Sequence, residues 1–230
     1  MTGKPRTLVD GEMSAIWKQA VSGPVLLGEL GLEGDGQAYR THGGPEKALL
    51  HYAADHYRMW AQRFPAAAHA AGLDAPADKR PELPATTLFG ENIITLGMTE
   101  ETVCLGDRYL IGKTVVVEVT QPRQPCWKLG VTAGAAEVPR LMQETAATGW
   151  YCRVLTPGAV AAGDRIRLES RPLPDCQLSR MILGFYGTPD DRGFLEELSR
   201  LPQLSTEWRL LVERRLSTGS VEDWNGRLYR

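Results

Sequence analysis

Short apolar runs, rich in β-branched residues and broken by glycine, fill the chain from Met13 to about Arg171. Those at Val25 to Leu27, Asn92 to Leu96, Tyr109 to Ile111, Thr114 to Thr120, Tyr151 to Leu155 and Arg165 to Glu169 have strand length. The Gly-Asp pairs at 34–35, 106–107 and 163–164 mark turns between or beside them. This succession predicts a barrel or a strongly curved sheet rather than a layered parallel sheet. Two helices are expected to interrupt it. The first opens at Pro45, a residue tolerated in a first turn, and carries Leu49, Tyr52, His56 and Met59 at helical spacing. The second runs from about Pro139 to Thr145. An Ala- and Pro-rich stretch from Phe64 to Pro84 reads as a surface excursion, with Asp74 and Asp78 as solvated loop residues.

The texture changes after Arg171-Pro172-Leu173-Pro174. Three amphipathic stretches follow, through Leu178, Met181, Ile182 and Phe185, then Phe194, Leu195 and Leu198, then Trp208, Leu211, Val212 and Leu216. Gly187, Pro189 and Pro202 separate them, which predicts three short helices with their aromatic residues in the core. The expected organisation is therefore a mainly β unit with flanking helices over 13–170 and a small three-helix unit over 175–220.

Composition narrows the function. A chain of 230 residues with 43% hydrophobic content can bury a substantial core, and a net charge of -2 without a basic run predicts no stable nucleic-acid binding. Cys104, Cys126, Cys152 and Cys176 form no C-x-x-C pair, so reduced thiols are expected rather than a zinc ribbon or a disulfide framework. No apolar stretch reaches signal-peptide or membrane-spanning length, which leads us to expect a cytoplasmic protein without membrane association.

The candidate chemistry gathers at Gln121-Pro122-Arg123-Gln124-Pro125-Cys126-Trp127-Lys128. Pro122 has no N–H for a ladder, so the sulfur is expected on a strand-end loop, where Arg123 and Lys128 would favour thiolate. From local sequence a packing cysteine and a reactive one are both open readings. Cys104 and Cys152 read as packing residues. His42-Gly43-Gly44-Pro45-Glu46-Lys47 is either a helix start whose N–H groups face an anion or a glycine turn with a solvated histidine. Asn92, after Phe89-Gly90-Glu91, either offers its amide to a heterocycle edge or caps the turn. Alternation on a strand puts Arg153 with Tyr151 and opposite Cys152. His51 and His56 would lie about 140 degrees apart on one helix, which excludes a shared metal there. Gly31 to Gly36 lacks the context of a phosphate loop.

Gly31-Leu32-Glu33-Gly34-Asp35, His42-Gly43-Gly44 with Lys47, Phe89-Gly90-Glu91-Asn92, Gly106-Asp107, Gln121 to Cys126, and Arg153 with Gly163-Asp164 together resemble the MOSC domain, in the family's order. The tail is similar to the three-helix extension of the YiiM-like subgroup. This resemblance implies a MOSC-type β-barrel, a molybdenum cofactor built on molybdopterin, and Cys126 as metal ligand and catalytic residue. It also implies His42, Gly43, Gly44, Lys47, Asn92, Arg123, Lys128 and Arg153 as cofactor-binding residues. YiiM-like proteins are associated with resistance to N-hydroxylated base analogues, so the implied activity is reduction of N-hydroxylated compounds such as 6-hydroxylaminopurine. No flavin or nicotinamide motif is present, which implies a separate electron-donating reductase. The alternative expectation is a molybdenum cofactor carrier or sulfur carrier without turnover.

Overall fold

The computed structural model describes residues 1–9, 11–70 and 86–229. Two short strands near the start, β1 (Arg6–Thr7) and β2 (Met13–Ser14), pair with each other. The strands β3 (Val25–Gly28) and β4 (Gly31–Leu32) form a hairpin, and β5 (Leu49–Ala53) and β6 (Ile93–Thr95) lie on either side of a long crossover. That crossover carries the helices α1 (Tyr57–Arg63) and α2 (Pro65–Ala70). Then come β7 (Arg108–Ile111) and β8 (Val115–Pro122), the helices α3 (Trp127–Ala133) and α4 (Val138–Thr145), and β9 (Trp150–Thr156), β10 (Gly158–Val160) and β11 (Ile166–Ser170). The chain closes with α5 (Leu178–Gly187), α6 (Arg192–Ser199), α7 (Thr206–Thr218) and α8 (Asn225–Leu228).

Six strands make the main sheet in the order β11-β7-β8-β9-β5-β6, antiparallel except for the parallel β5 and β6 pair. Irregularities in the β8–β9 pairing at Val116/Val117 and Val119/Gln121 add local twist, and the sheet curls into a half-barrel. β10, β3 and β4 form a smaller sheet. This is the expected mixed architecture, mainly β in its first part with flanking helices and a helical tail. Among the described residues no helix is long and apolar enough to cross a membrane.

The helix expected from Pro45 is replaced by other structure. Pro45–Lys47 makes a single 3-10 turn, residues 49–53 are β5, Ala54–His56 make a second 3-10 turn, and only then does α1 begin. Every residue of β5 is buried, because β9 and β6 flank it and both faces are covered. A strand buried on both faces has no polar alternation, so the spacing of Leu49, Tyr52 and His56 imitates a helix. The surface excursion and Asp74 and Asp78 lie largely outside the described residues, apart from Pro65–Ala70, which is helical.

His51 therefore sits on a central strand, its ring 4.3 Å from that of Trp150 and its Nε2 2.5 Å from Thr95 Oγ1. Burial pushes its imidazole down to about 3. The unfolded chain thus binds a proton that the folded chain refuses between about pH 3 and about pH 6.5, and stability falls as pH drops through that window. At pH 5 the expected loss relative to pH 7.5 is about 2 kcal/mol. Urea unfolding at the two values checks this, with His51→Gln expected to flatten the dependence.

The three predicted tail helices are present, and the second and third carry side-chain caps. Asp191 Oδ1 accepts from Phe194 N at 3.0 Å, and Ser205 Oγ accepts from Trp208 N at 3.3 Å. Phe185 and Trp208 are fully buried, as read from the helical pattern, with rings 4.6 Å apart. They join Leu178, Met181 and Val212 in one apolar cluster with Leu49, Val117 and Trp150 of the sheet. Tail and half-barrel therefore share a core.

Candidate functional site

β8 ends at Pro122, which pairs with Trp150, and Arg123 N donates to Gly149 O at 2.9 Å. The chain then leaves the sheet as an extended loop to Cys126, which is the N-cap residue of α3, with φ -129° and ψ 164°. The strand-end position of the thiol is as expected; the helix beginning immediately after it was not visible, since Gly130, Val131 and Thr132 are poor helix formers. Around this loop lies a cleft of about 240 Å³, open on one side.

The structure brings His42, Lys47, Asn92, Arg123, Cys126 and Lys128 to the lining of this cleft. Lys18, Arg227, Gln121 and Tyr151 line it too, and Glu207 is its sole carboxylate among the described residues. Sequence reasoning missed those five as site residues. Gln121 lies inside the string that marked the site, and Tyr151 shares a strand face with Arg153; the tail residues Glu207 and Arg227 carried no signal at all.

Arg123 is buried, and its Nη1 has no partner among the described residues. Gln121 Oε1, on the same stretch of chain, is in the same condition. A buried guanidinium nitrogen without an acceptor is destabilising unless a ligand supplies one. Lys128 Nζ donates to Met13 O at 2.9 Å, lies 3.6 Å from Glu12 Oε2 and stands 4.1 Å from the centre of the Tyr39 ring. Lys47 Nζ donates to Thr41 O at 2.8 Å and pairs with Glu207. His42 stands at the mouth with solvent access. Crowding by protein atoms, then the charges of Lys128, Arg123 and Lys47, push its imidazole down to about 4, leaving it neutral at pH 7. Because the residue keeps contact with water, the charge contribution is open to screening by salt. Burial raises the Tyr151 phenol, so its Oη keeps its proton.

Cys126 is half-buried and free, whereas Cys104, Cys152 and Cys176 are buried. Burial pushes those three thiols up, Cys176 to about 12, which suits the packing role read for Cys104 and Cys152. Among the described residues no group of three His, Cys, Asp or Glu side chains could hold a bare metal ion.

Four expected ligand residues are placed elsewhere or already engaged. Gly43 and Gly44 do not line the cleft; the helix start expected to aim N–H groups at an anion is only the Pro45–Lys47 turn. Gly44 has a conformational requirement, with φ +108°, whereas Gly43 is extended and a Cβ there would only displace the tip of the Gln37 side chain. Asn92 is saturated by the chain: Oδ1 accepts from Leu50 N at 3.0 Å, and Nδ2 donates to Asp35 Oδ2 at 2.8 Å and Met1 O at 3.2 Å. Arg153 shares its strand face with Tyr151 as expected but sits two residues further along, outside the lining. There Nη2 lies 3.1 Å from Gln203 O and 3.3 Å from Glu46 Oε1, and Nε lies 3.7 Å from Glu118 Oε1.

The MOSC domain family matches residues 38–167, more than half of the chain and most of the cleft. The chain belongs to the MOSC domain family. The YiiM-like 3-alpha helix domain matches residues 184–219 of the tail. Protein YiiM of Escherichia coli (strain K12) is 37% identical over 229 residues, covering 99% of this MOSC protein and 96% of that one. The crystal structure of YiiM from Escherichia coli superposes with a TM-score of 0.77 at 33% identity, over 94% of this chain and 98% of that chain. A protein named reductase from Gibberella moniliformis (strain M3125 / FGSC 7600) is 38% identical over 204 residues. That match takes in 87% of this chain but spans only 34% of the relative. MOSC domains are associated with the molybdenum cofactor.

The donors in the cleft suit that group. Molybdopterin carries a phosphate, for which the unpartnered Arg123 Nη1 is an available charge-assisted donor. The Cys126 sulfur is a soft donor of the kind that thiolate-rich metal centres favour.

Proposed function

We propose that this protein is a molybdenum-cofactor-dependent reductase of N-hydroxylated compounds, with N-hydroxylated purine bases such as 6-hydroxylaminopurine as the substrate class and a separate reductase as electron donor. The observation that carries the reading is the buried Arg123 Nη1, without a partner among the described residues, in the same cleft as the half-buried Cys126 thiol. The reductase name of one relative supports the reaction type.

Arg123, Lys47 and Lys128 would hold the cofactor phosphate, and Cys126 Sγ would ligate the metal. When bound, the cofactor supplies two electrons, which with two protons convert an N-hydroxyl group to an amine and water. His42, neutral at the mouth, offers a hydrogen bond to an uncharged heterocycle rather than one more positive charge. Tyr151 holds a proton at Oη inside the cleft. The buried floor keeps water away from Arg123 and so strengthens its grip on an anion.

Protein purified with its cofactor is expected to contain about one molybdenum per chain by elemental analysis and to convert 6-hydroxylaminopurine to adenine with an artificial electron donor. A protein that hands cofactor to an apoenzyme, yet reduces nothing beyond what free cofactor reduces, is a carrier and sinks the proposal.

A further inference from the structure

Most residues that line the cleft precede the tail, yet its sole lining carboxylate among the described residues comes from the tail. Glu207 lies in the first turn of α7 and pairs with Lys47, a residue 160 positions earlier. The partners are unequally placed, with the Lys47 side chain 13% exposed and that of Glu207 43% exposed. Lys47 is committed to the cleft, also donating to Thr41 O, while Glu207 can turn into water. The start of α7 does not depend on Glu207, because Thr206 N donates to Glu46 Oε2 at 2.9 Å and Ser205 caps the helix.

We infer that Glu207 is a specificity-determining residue of the anion site, a resident counter-ion that occupies Lys47 until a phosphate-type anion displaces it. This rests on the reading of the cleft as a site for a phosphate-bearing ligand. A cationic cleft without a counter-ion would attract any small anion. With Glu207 on Lys47, a monovalent anion gains little by exchanging with a carboxylate, whereas a phosphate dianion engages Lys47 and Arg123 together. The tail thereby contributes selectivity to a site lined mostly by residues that precede it.

The test uses the full chain expressed in cells that make no molybdenum cofactor, with inorganic phosphate as the probe in calorimetric titrations at low ionic strength. Glu207→Gln is expected to bind phosphate about threefold to fivefold more tightly than the parent, the scale of a partly exposed ion pair. It is also expected to lose discrimination against chloride. Lys47→Met is expected to bind more weakly, and adding Glu207→Gln to it to change affinity less than twofold. Thermal melts confirm that each variant is folded. Parent and Glu207→Gln binding phosphate equally overturns the counter-ion role while leaving the anion site standing, as does a gain undiminished in the Lys47→Met background. Absence of phosphate binding in every form overturns both.

Discussion

Replacing Cys126 with alanine is expected to lower the rate of N-hydroxyl reduction by at least about 100-fold while leaving the melting temperature within a few degrees of the parent. Loss of residues that merely support metal ligands already lowers metal affinity or activity by about 10- to 100-fold, so loss of the ligand itself exceeds that. The fold is expected to tolerate the change. Cys126 is only half-buried, its side chain does not cap α3, and Leu129 N bonds to its backbone oxygen, which alanine keeps. Steady-state kinetics with an artificial electron donor, alongside molybdenum content, separates a ligand from a packing residue. Undiminished turnover in Cys126→Ala would remove the thiol from the mechanism.

Asp107→Ala is expected to destabilise the fold by about 3–5 kcal/mol, because it strands two buried donors, Cys104 N and Tyr109 Oη, and breaks a charge-assisted pair with the partly exposed Arg171. Asp107 is fully buried. Its carboxylate accepts from Cys104 N at 2.9 Å, Tyr109 Oη at 2.9 Å, and Arg171 Nε and Nη2 at 2.9 and 2.7 Å. Alanine leaves all of these donors without their acceptor. In a chain of this length the loss corresponds to a drop in melting temperature of about 6–20 °C. The internal control is Asp164→Ala in the third Gly-Asp pair. Asp164 is exposed and accepts from Ala161 N at 2.8 Å, so its loss is expected to stay near 1 kcal/mol. Equal effects from the two substitutions would show that burial is not what distinguishes the two turns.

That contrast also marks what could be read from the chain directly. The Gly-Asp pairs announced turns, but a dipeptide does not say which carboxylate will be covered. The strands β7, β8, β9 and β11 were legible because β-branched runs between glycines leave few other options. β5 was misread because burial on both faces erased the alternation that identifies a strand. In the site, the run from Gln121 to Cys126 could be found because prolines, cations and a thiol occur together there. Strand alternation gave Arg153 its correct face; whether it would reach the cleft or Glu46 depended on a loop and a helix far away in sequence. Glu207 and Arg227 were invisible for the same reason, since only folding brings the tail to the rim. Asn92 kept both of its readings open until the structure showed its amide used up on Leu50, Asp35 and Met1.

The core shared by the sheet and the tail bears on how the molecule is made. Its last strand ends at Ser170, yet the apolar cluster that includes Val117 and Trp150 is closed by Leu178, Met181, Trp208 and Val212. A nascent chain cannot finish that core until its final helices have left the ribosome. A message broken shortly after β11 would yield a sheet with a bare apolar face, a substrate for chaperones rather than a smaller working protein.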